Sequence, residues 1–353
     1  VDYLIVSERI SEEDALLLYE KGELSFLGVL ANYIKESKHG QRVFFNRNFH
    51  VEPTNICIYN CKFCSYVRKI NEAGAWEYTP DEIIKIVESY NDTPVTEVHI
   101  VGGVHPKRDL QYYGNILKRI KEVRPDIHIK AFTAVELEFM IKKAKLSLEE
   151  GLNKLKEYGL DSLPGGGAEI FHPDIRNEVC DEKATSDMWL RIHEAAHRVG
   201  LPSNATILYG HVETYFHRID HLSKLRKLQD KTGGFNTFIP LKYKKENNNL
   251  SHIGEVNSIE DLKNFAVSRI FLDNFSHIKA YWPMLGKQLA QLSLAYGVDD
   301  IDGTIDDTTK IYSMAGAEDK NPRMSTQDIV FLIKQARRIP VERDTLYNTL
   351  KTY

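Results

Sequence analysis

Three cysteines lie close together in the run Cys57-Ile-Tyr-Asn-Cys61-Lys-Phe-Cys64. Thiolates at these spacings can converge on one small loop. A [4Fe–4S] cluster takes one cysteine thiolate for each iron, so three thiolates leave one iron open. An open coordination position can bind a substrate, as it does at catalytic zinc sites. The triplet therefore predicts a catalytic iron–sulfur site.

A structural zinc site is the alternative for the same cysteines, with His50 or His105 as a further ligand. Zinc sites usually pair two C-x-x-C or similar units at longer separation, and the chain has no second unit. The remaining cysteine, Cys180, stands far from the triplet, which favours a buried structural thiol. Cysteines of a disulfide framework would be spread along the chain, so their clustering favours a reducing compartment, and we expect a cytoplasmic protein.

Two glycine-rich segments could bring backbone close to a ligand. Gly102 and Gly103 follow a predicted strand, and the run 165–167 (GGG) precedes Glu169. Glycines lack a Cβ atom and allow close backbone approach, and a carboxylate can accept from a hydroxylated ligand. Neither segment matches G-x-G-x-x-G or the phosphate-binding P-loop, which disfavours a nicotinamide or nucleoside triphosphate enzyme.

The elements that must position these residues alternate between β-rich and helical patterns. Helices are predicted between most of the strands, for example over 81–90, 110–123, 148–158 and 186–199. Alternation of this kind predicts a parallel sheet, and eight strands predict a (β/α)8 TIM-type barrel, with an open doubly wound sheet as the alternative. The predicted strands are 49–52, 97–101, 128–132, 162–163, 205–209, 237–241, 277–281 and 299–301.

Polar and glycine-rich residues follow many of these strands, which in a barrel places them on the C-terminal rim, where active sites lie. Residues 1–46 are predicted to form a helical segment packed on the barrel, with a capping box at Ser11 and Asp14. Residues 47–353 are predicted to form the barrel and a C-terminal helical tail.

Composition is that of an ordinary globular enzyme, with 42% hydrophobic and 27% charged residues and a formal net charge of −4. This charge gives no general attraction to nucleic acid or to anionic lipid. No apolar run is long enough to span a bilayer, and the start, Val1-Asp2-Tyr3-Leu4, does not resemble a signal peptide. We therefore expect neither a nucleic-acid nor a membrane partner.

The cysteine spacing is the one that defines the radical S-adenosylmethionine (SAM) superfamily, and the chain resembles the radical enzymes of the futalosine route to menaquinone. Enzymes that assemble the deazaflavin of coenzyme F420 are more distant in this comparison. The resemblance lies in the runs 50–66, 162–170 (SLPGGGAEI), 205–214 (ATILYGHVET), 229–235 (QDKTGGF) and 298–304 (VDDIDGT).

The resemblance implies that the open iron binds the amino and carboxylate groups of SAM, and that reduction releases a 5′-deoxyadenosyl radical. It implies a small-molecule substrate and a reducing electron donor such as flavodoxin or ferredoxin. The cluster ligands would be Cys57, Cys61 and Cys64. By the same resemblance, SAM would be bound by Phe63, Tyr66, Gly102, Gly103, Glu136 and Glu169.

A deazaflavin-type radical enzyme and, in another class, a non-catalytic zinc or iron–sulfur protein are alternatives, and within the futalosine branch two reactions remain open. In one, the radical adds to the vinyl carbon of 3-[(1-carboxyvinyl)oxy]benzoate, giving 6-amino-6-deoxyfutalosine, methionine and bicarbonate or CO2. In the other, dehypoxanthine futalosine is cyclised. The chain resembles the transferases of the first reaction in the runs 175–178 (IRNE), 203–206 (SNAT), 240–250 (PLKYKKENNNL) and 317–325 (AEDKNPRMS).

The first substrate carries two carboxylates, so cationic and amide donors should surround it. Candidate substrate-binding residues are Arg176, Asn204, Thr206, Lys242 and Arg323. His211 and Glu213 follow the fifth strand and are the candidates for acid–base steps or for orienting the substrate. Each arginine or lysine could instead be a surface charge, and His211 could be a structural histidine.

Overall fold

The computed structural model describes residues 9–304, 310–317 and 322–353. Two N-terminal helices, α1 (Glu12–Lys21) and α2 (Leu24–His39), lie outside the sheet, and α1 begins with the predicted capping box of Ser11 and Asp14. The ring of Tyr19 in α1 stacks on Tyr215 at 4.7 Å between centroids. In the described part of the predicted N-terminal segment, residues 12–21 and 24–39 are helical, whereas Arg42–Asn46 is already a strand, β1.

Each of the eight predicted strands is present as a parallel strand or as a pair of bridge residues. They are β2 (Asn48–Val51), β3 (Glu97–Ile100), β4 (His128–Ala131), the bridge residues 162 and 163, β5 (Ser203–Tyr209), β6 (Phe235–Lys242), β7 (His277–Ile278) and β8 (Asp300–Gly303). Neighbours in the chain are neighbours in space, because β2, β3 and β4 pair in order and so do β5, β6 and β7. Single parallel bridges continue this order from Lys130 to Ser162, from Leu163 to Ser203 and from Lys279 to Asp300.

The first strand is split where the ring would close. Its first half, β1, pairs with β8, and its second half, β2, pairs with β3. The register between β1 and β8 shifts between Phe44 and Asn46, and such an irregularity bends a strand. Among the described residues the ladders therefore form three sheets in barrel-like order, and a continuously hydrogen-bonded barrel is not observed.

Helices cover the outside of the sheets, and the predicted ones are confirmed with small changes at their ends. Capping boxes begin several of them, at Thr79, Thr133 and Ser147. The apolar core lies between their inner faces and the strands. The helices after α2 are α3 (Pro80–Glu88), α4 (Leu110–Val123), α5 (Ala134–Ala144), α6 (Leu148–Glu157), α7 (Pro173–Cys180), α8 (Ser186–Arg198), α9 (Tyr215–Thr232), α10 (Ser258–Phe271), α11 (Trp282–Leu285), α12 (Lys287–Ser293), α13 (Ile311–Met314) and α14 (Thr326–Gln335).

The described part of the C-terminal tail contains the helices α13 and α14, but it ends in two strands, which differs from the predicted helical tail. After α14 the chain forms β9 (Ile339–Arg343), parallel to β1, and β10 (Thr349–Thr352), antiparallel to β9. Pairing with the free edge of β1 satisfies backbone groups that a helix would leave exposed there. Part of the predicted run 317–325 lies outside the described residues. No helix among those described is long and apolar enough to cross a bilayer.

Candidate active site

The cysteine loop follows β2 and is held from both sides by backbone hydrogen bonds. The Cys57 N–H donates to Arg68 O at 3.0 Å, and the next N–H, of Ile58, donates to Val104 O at 3.0 Å. The Lys69 ammonium caps the loop, donating to the carbonyl oxygens of Cys57 and of the two residues after it at 3.0–3.2 Å. These contacts fix the loop above the carboxyl ends of β2 and β3, on the rim that was predicted to carry the chemistry.

The separation of the three thiols fits a cluster better than a single zinc ion. Sulfur ligands lie about 2.3 Å from zinc, so their mutual separations are about 4 Å. Among the described residues, the one group of three metal-ligating atoms within 4.8 Å of one another is His39, His277 and Asp299, not the thiols. His105 is also engaged elsewhere, since its Nδ1 accepts from Lys107 N at 3.1 Å. The thiols are thus not grouped as ligands of a single zinc ion, and the assignment of a [4Fe–4S] cluster rests on the cysteine spacing.

The environment of the thiols is largely apolar, and the Lys183 ammonium lies near Cys61. Burial raises the pKa of Cys61 to about 12, while the nearby Lys183 ammonium lowers it in part. Lys183 forms an ion pair with Glu169 and lies 5.0 Å above the ring of Phe63. A buried cation beside the loop favours the deprotonated sulfurs that an iron cluster requires.

Cys180 lies close to the cysteine loop, although it is distant in sequence. Its side chain is buried, as predicted, in a small apolar cluster against which Cys61 and Phe63 pack. The contact arises because α7 ends beside the loop, where Lys62 N donates to Val179 O at 2.9 Å. Sequence separation therefore gave no indication of this contact.

A cavity of about 300 Å3 opens beneath the cysteine loop and extends into the lumen between the strands. The three cysteines line it. Of the other predicted site residues, the cavity is lined by Phe63, Gly102, Glu169, Asn204, Thr206 and Lys242. Besides Glu169, which pairs with Lys183, two of the predicted substrate-binding residues have internal partners, because Thr206 Oγ1 donates to Gly165 O at 2.6 Å and Lys242 Nζ donates to Asp261 at 2.7 Å.

Three residues predicted to bind SAM instead support the loops around the cavity. A Cβ on Gly103 would lie 2.4 Å from Ile56 O, so this glycine permits close packing against the cysteine loop. Glu136 accepts from Gly102 N at 3.2 Å and caps α5, and burial raises its pKa to about 7. Tyr66 is buried and donates to Thr54 O at 3.1 Å. None of the three lines the cavity.

The two predicted arginines lie outside the cavity lining. The Arg176 guanidinium is buried and donates to the backbone oxygens of Gly167, Ala168 and Ala184, so it holds the 165–169 loop against α7. Arg323 is exposed. The predicted substrate contacts of both residues are therefore not supported by their positions.

His211 and Glu213 also lie behind the cavity wall. Their side chains are fully buried, with His211 Nδ1 3.4 Å from Glu213 Oε2. Glu213 accepts from the backbone N–H groups of Gly210 and His211 and from Arg218 Nε at 2.9 Å. The pair orders the turn after β5, and its position does not support the predicted acid–base role.

Sequence reasoning missed a set of polar residues that point into the lumen. We call Glu97, His99, Lys130, Lys279 and Asp302 the lumen floor; all but Glu97 line the cavity. Lys130 Nζ lies 2.5 Å from Glu97 Oε1, and Lys279 Nζ lies 2.7 Å from Asp302 Oδ1. A signal was present, since polar and apolar residues alternate along these short strands, the pattern of side chains on opposite faces of a sheet.

Comparison with known proteins agrees with this site. The model of the radical SAM superfamily matches residues 51–225, and that of the CofH/MqnC C-terminal region matches residues 232–352. The fold is shared with the FeFe-hydrogenase maturase HydG from Carboxydothermus hydrogenoformans, with a TM-score of 0.75 at 19% identity, covering 98% of this chain and 79% of that one.

Three curated relatives span nearly the whole chain. An aminodeoxyfutalosine synthase of Thermus thermophilus is 43% identical, over 98% of this chain and 94% of its own. A 5-amino-6-(D-ribitylamino)uracil–L-tyrosine 4-hydroxyphenyl transferase of Methanocaldococcus jannaschii is 39% identical, over 98% of each chain. A cyclic dehypoxanthine futalosine synthase of Streptomyces coelicolor is 35% identical, over 99% of this chain and 88% of its own.

The fold and the cysteine loop define an enzyme of the radical SAM type. The chain belongs to the radical SAM superfamily, in the branch whose members carry the CofH/MqnC C-terminal region. Enzymes of this superfamily use a [4Fe–4S] cluster and SAM, and Cys57, Cys61 and Cys64 fit the cluster motif.

Proposed function

We propose that the protein is a radical SAM transferase that makes 6-amino-6-deoxyfutalosine. It joins the adenosyl group of SAM to 3-[(1-carboxyvinyl)oxy]benzoate, with release of methionine and of a carboxyl carbon as bicarbonate or CO2. The observation that carries the proposal is the similarity, along nearly the full chain, to a curated aminodeoxyfutalosine synthase, combined with a cavity that leads from the cysteine loop into a polar lumen.

The residues around the cavity suit a radical that adds to a double bond. Cys57, Cys61 and Cys64 would hold the cluster, and the cluster with SAM supplies the 5′-deoxyadenosyl radical when reduced. The upper wall is apolar, with Val101, Leu208 and other side chains facing the cavity. Apolar walls exclude water and offer the radical no solvent to react with.

Glu169 and Lys183 are the residues we expect to contact SAM most directly. Both line the cavity beside the cysteine loop and form an ion pair with each other. A carboxylate can accept from an amino group or from ribose hydroxyls, and an ammonium can donate to a carboxylate. Phe63 and Gly102 complete this end of the cavity.

Two other reactions are known among the relatives, namely cyclisation of dehypoxanthine futalosine and transfer of a 4-hydroxyphenyl group from tyrosine. The transferase relative is as similar to this chain as a second curated aminodeoxyfutalosine synthase, from Streptomyces coelicolor, at 39% identity in each case. Overall identity alone does not separate the three reactions, so the proposal requires a product assay.

The fate of the adenosyl group tests the proposal. The enzyme is reconstituted with its cluster without oxygen and supplied with a reductant and SAM. It is then incubated with one of three substrates: 3-[(1-carboxyvinyl)oxy]benzoate, dehypoxanthine futalosine, or tyrosine together with 5-amino-6-(D-ribitylamino)uracil. We expect methionine and an adenosyl-containing adduct in equal amounts with the first substrate, and little 5′-deoxyadenosine. Stoichiometric 5′-deoxyadenosine from dehypoxanthine futalosine, carrying substrate hydrogen, would instead establish the cyclase.

The electron donor is part of the proposal. Cleavage of the SAM sulfonium needs one low-potential electron, so we propose a small reduced protein such as flavodoxin or ferredoxin as the partner. The rate of turnover with the organism's own reduced flavodoxin or ferredoxin, compared with the rate with dithionite, tests whether such a protein is the electron donor.

A further inference from the structure

The lumen floor brings together charges from strands that are distant in the ring. Lys130 comes from β4, whereas Lys279 directly follows β7. The pKa of the buried Glu97 carboxyl is held well below its usual range by both ammonium groups, Lys130 and Lys279, against the effect of burial. Lys130 pairs with this carboxylate directly, and Lys279, which pairs with Asp302, acts on it through its charge.

The two lysines of the floor have more N–H donors than hydrogen bonds, and each carboxylate of the floor already accepts from a lysine. A lysine ammonium has three N–H donors, and in the described part of the chain Lys130 and Lys279 each have one side-chain hydrogen bond, to Glu97 and Asp302 respectively. Glu97 additionally accepts from Thr345 Oγ1 at 2.7 Å. A site with free donors and engaged carboxylates favours an anionic ligand group over a cation.

His99 adds a polar atom that has no partner within the described protein. Its Nε2 is buried and unpaired, and the residue lines the cavity. Burial keeps the pKa of His99 well below its usual range, so the ring is neutral, and in the tautomer that carries the proton on Nε2 it can donate one N–H into the site. A buried donor without a partner destabilises the site, and a bound anionic ligand would remove that cost.

We propose that His99, Lys130 and Lys279 form the receptor for the ring carboxylate of the substrate. This inference rests on the proposed function, which supplies a substrate with one carboxylate on the aromatic ring and one on the vinyl group. The vinyl carboxylate lies on the carbon next to the one attacked by the radical, so it stays at the cysteine end of the cavity. The ring carboxylate is at the opposite end of the molecule and reaches the lumen floor.

The receptor would also position the substrate for the reaction, in addition to binding it. The reacting atoms must be held about 3–3.5 Å apart before the radical forms. Anchoring the ring carboxylate at the floor would fix the height of the vinyl group below SAM. The ring carboxylate should therefore contribute to binding, and the residues that bind it should lose their effect when it is absent.

A substrate analogue without the ring carboxylate, 2-phenoxyacrylate, tests this relationship. The cluster-loaded enzyme is compared with His99→Phe, which keeps a ring but removes the polar atom, and with Lys130→Met/Glu97→Gln, which removes the ammonium without leaving a buried charge unpaired. For the wild type we expect kcat/KM for adduct formation to fall about 10- to 100-fold on the analogue. In each variant, kcat/KM should fall about tenfold or more with the full substrate and no more than about twofold with the analogue.

A matched control is His128→Gln, because His128 lies two residues before Lys130, hydrogen bonds to Ser162 and does not line the cavity. This substitution should leave kcat/KM unchanged with both substrates. Calorimetric binding of the full substrate to the unreduced, cluster-loaded enzyme gives a readout without turnover and should weaken by the same factor in His99→Phe. If kcat/KM of the variants fell by the same factor with both substrates, the assignment of the receptor would be wrong, although the wild type forms the adduct. A wild type that forms no adduct from the full substrate would overturn the proposed function, and the receptor with it.

Discussion

Arg343 and Asp300 form an ion pair that is almost completely buried at the amino-terminal end of the lumen, with Nε 2.7 Å from Oδ2. The pair joins the last residue of β9 to the first residue of β8. Thr345, two residues later, reaches the lumen floor through its hydrogen bond to Glu97. The C-terminal segment therefore closes the bottom of the lumen and helps to position one of its ion pairs.

Removing one partner of this pair should destabilise the protein strongly. Arg343→Met leaves the Asp300 carboxylate buried without its partner, which typically costs about 3–5 kcal/mol. Urea unfolding followed by circular dichroism measures the loss, and the exposed Lys334→Met serves as the control. Arg343→Met/Asp300→Asn should recover much of the stability, and a single variant as stable as the wild type would contradict the argument.

The cluster should depend on the triplet and not on Cys180. Alanine at Cys57, Cys61 or Cys64 removes one of three protein ligands, so bound iron and SAM cleavage should both be lost. Cys180→Ala should retain about four irons per chain after anaerobic reconstitution, although it packs beside Cys61. Iron analysis and the visible absorption of the cluster check this, and loss of the cluster in Cys180→Ala with retention in Cys64→Ala would reverse the assignment.

Gly103 should be required for the position of the cysteine loop. A Cβ at this residue would lie 2.4 Å from Ile56 O, a backbone atom that cannot move without shifting the loop. We expect Gly103→Ala to bind less than half of the wild-type iron. Gly254→Ala has open space at Cβ but a φ of 84°, so it should cost about 1–2 kcal/mol of stability and leave the iron content unchanged.

The free energy of unfolding should decrease as the pH is lowered, partly because of His197. Burial lowers the pKa of this imidazole to about 4, from 6.5 in the unfolded chain. Above about pH 6.5 the imidazole is neutral in both the folded and the unfolded chain, so it does not lower the free energy of unfolding. As the pH falls from 6.5 to 4, only the unfolded chain takes up a proton, and the free energy of unfolding decreases by about 1.4 kcal/mol per pH unit. His197→Gln should remove about 2 kcal/mol from the stability difference between pH 7.5 and pH 5. Urea titrations at both pH values measure it, and an unchanged difference would be evidence against this contribution.

Much of the secondary structure could be predicted because its signals are local. The strands appear as short β-rich runs between amphipathic helices, and the predicted capping box at Ser11 is present. The split of the first strand between β8 and β3 could not be predicted, because it depends on which edges meet across the ring. The tail strands β9 and β10 escaped prediction for the same reason, since β9 pairs with the distant edge of β1.

The site shows the same division between local and long-range information. The cysteine triplet could be recognised from sequence because all three protein ligands belong to one short loop, where spacing alone determines whether they can converge. The roles of Arg176 and His211 could not, because a charged or titratable side chain after a strand can face the cavity or the loop behind it. Only the folded chain decides this, and it directs Arg176 to backbone oxygens.

The sequence by itself determined the cofactor chemistry and the alternation of strands and helices, because cluster spacing and periodicity are properties of neighbouring residues. The tertiary structure decided which polar side chains share the lumen. Glu97, Lys130, Lys279 and Asp302 come from four different strand segments and meet only when the strands are arranged around one axis. Burial then leaves their charges stable only as pairs, because an unpaired charge in such a site is too costly.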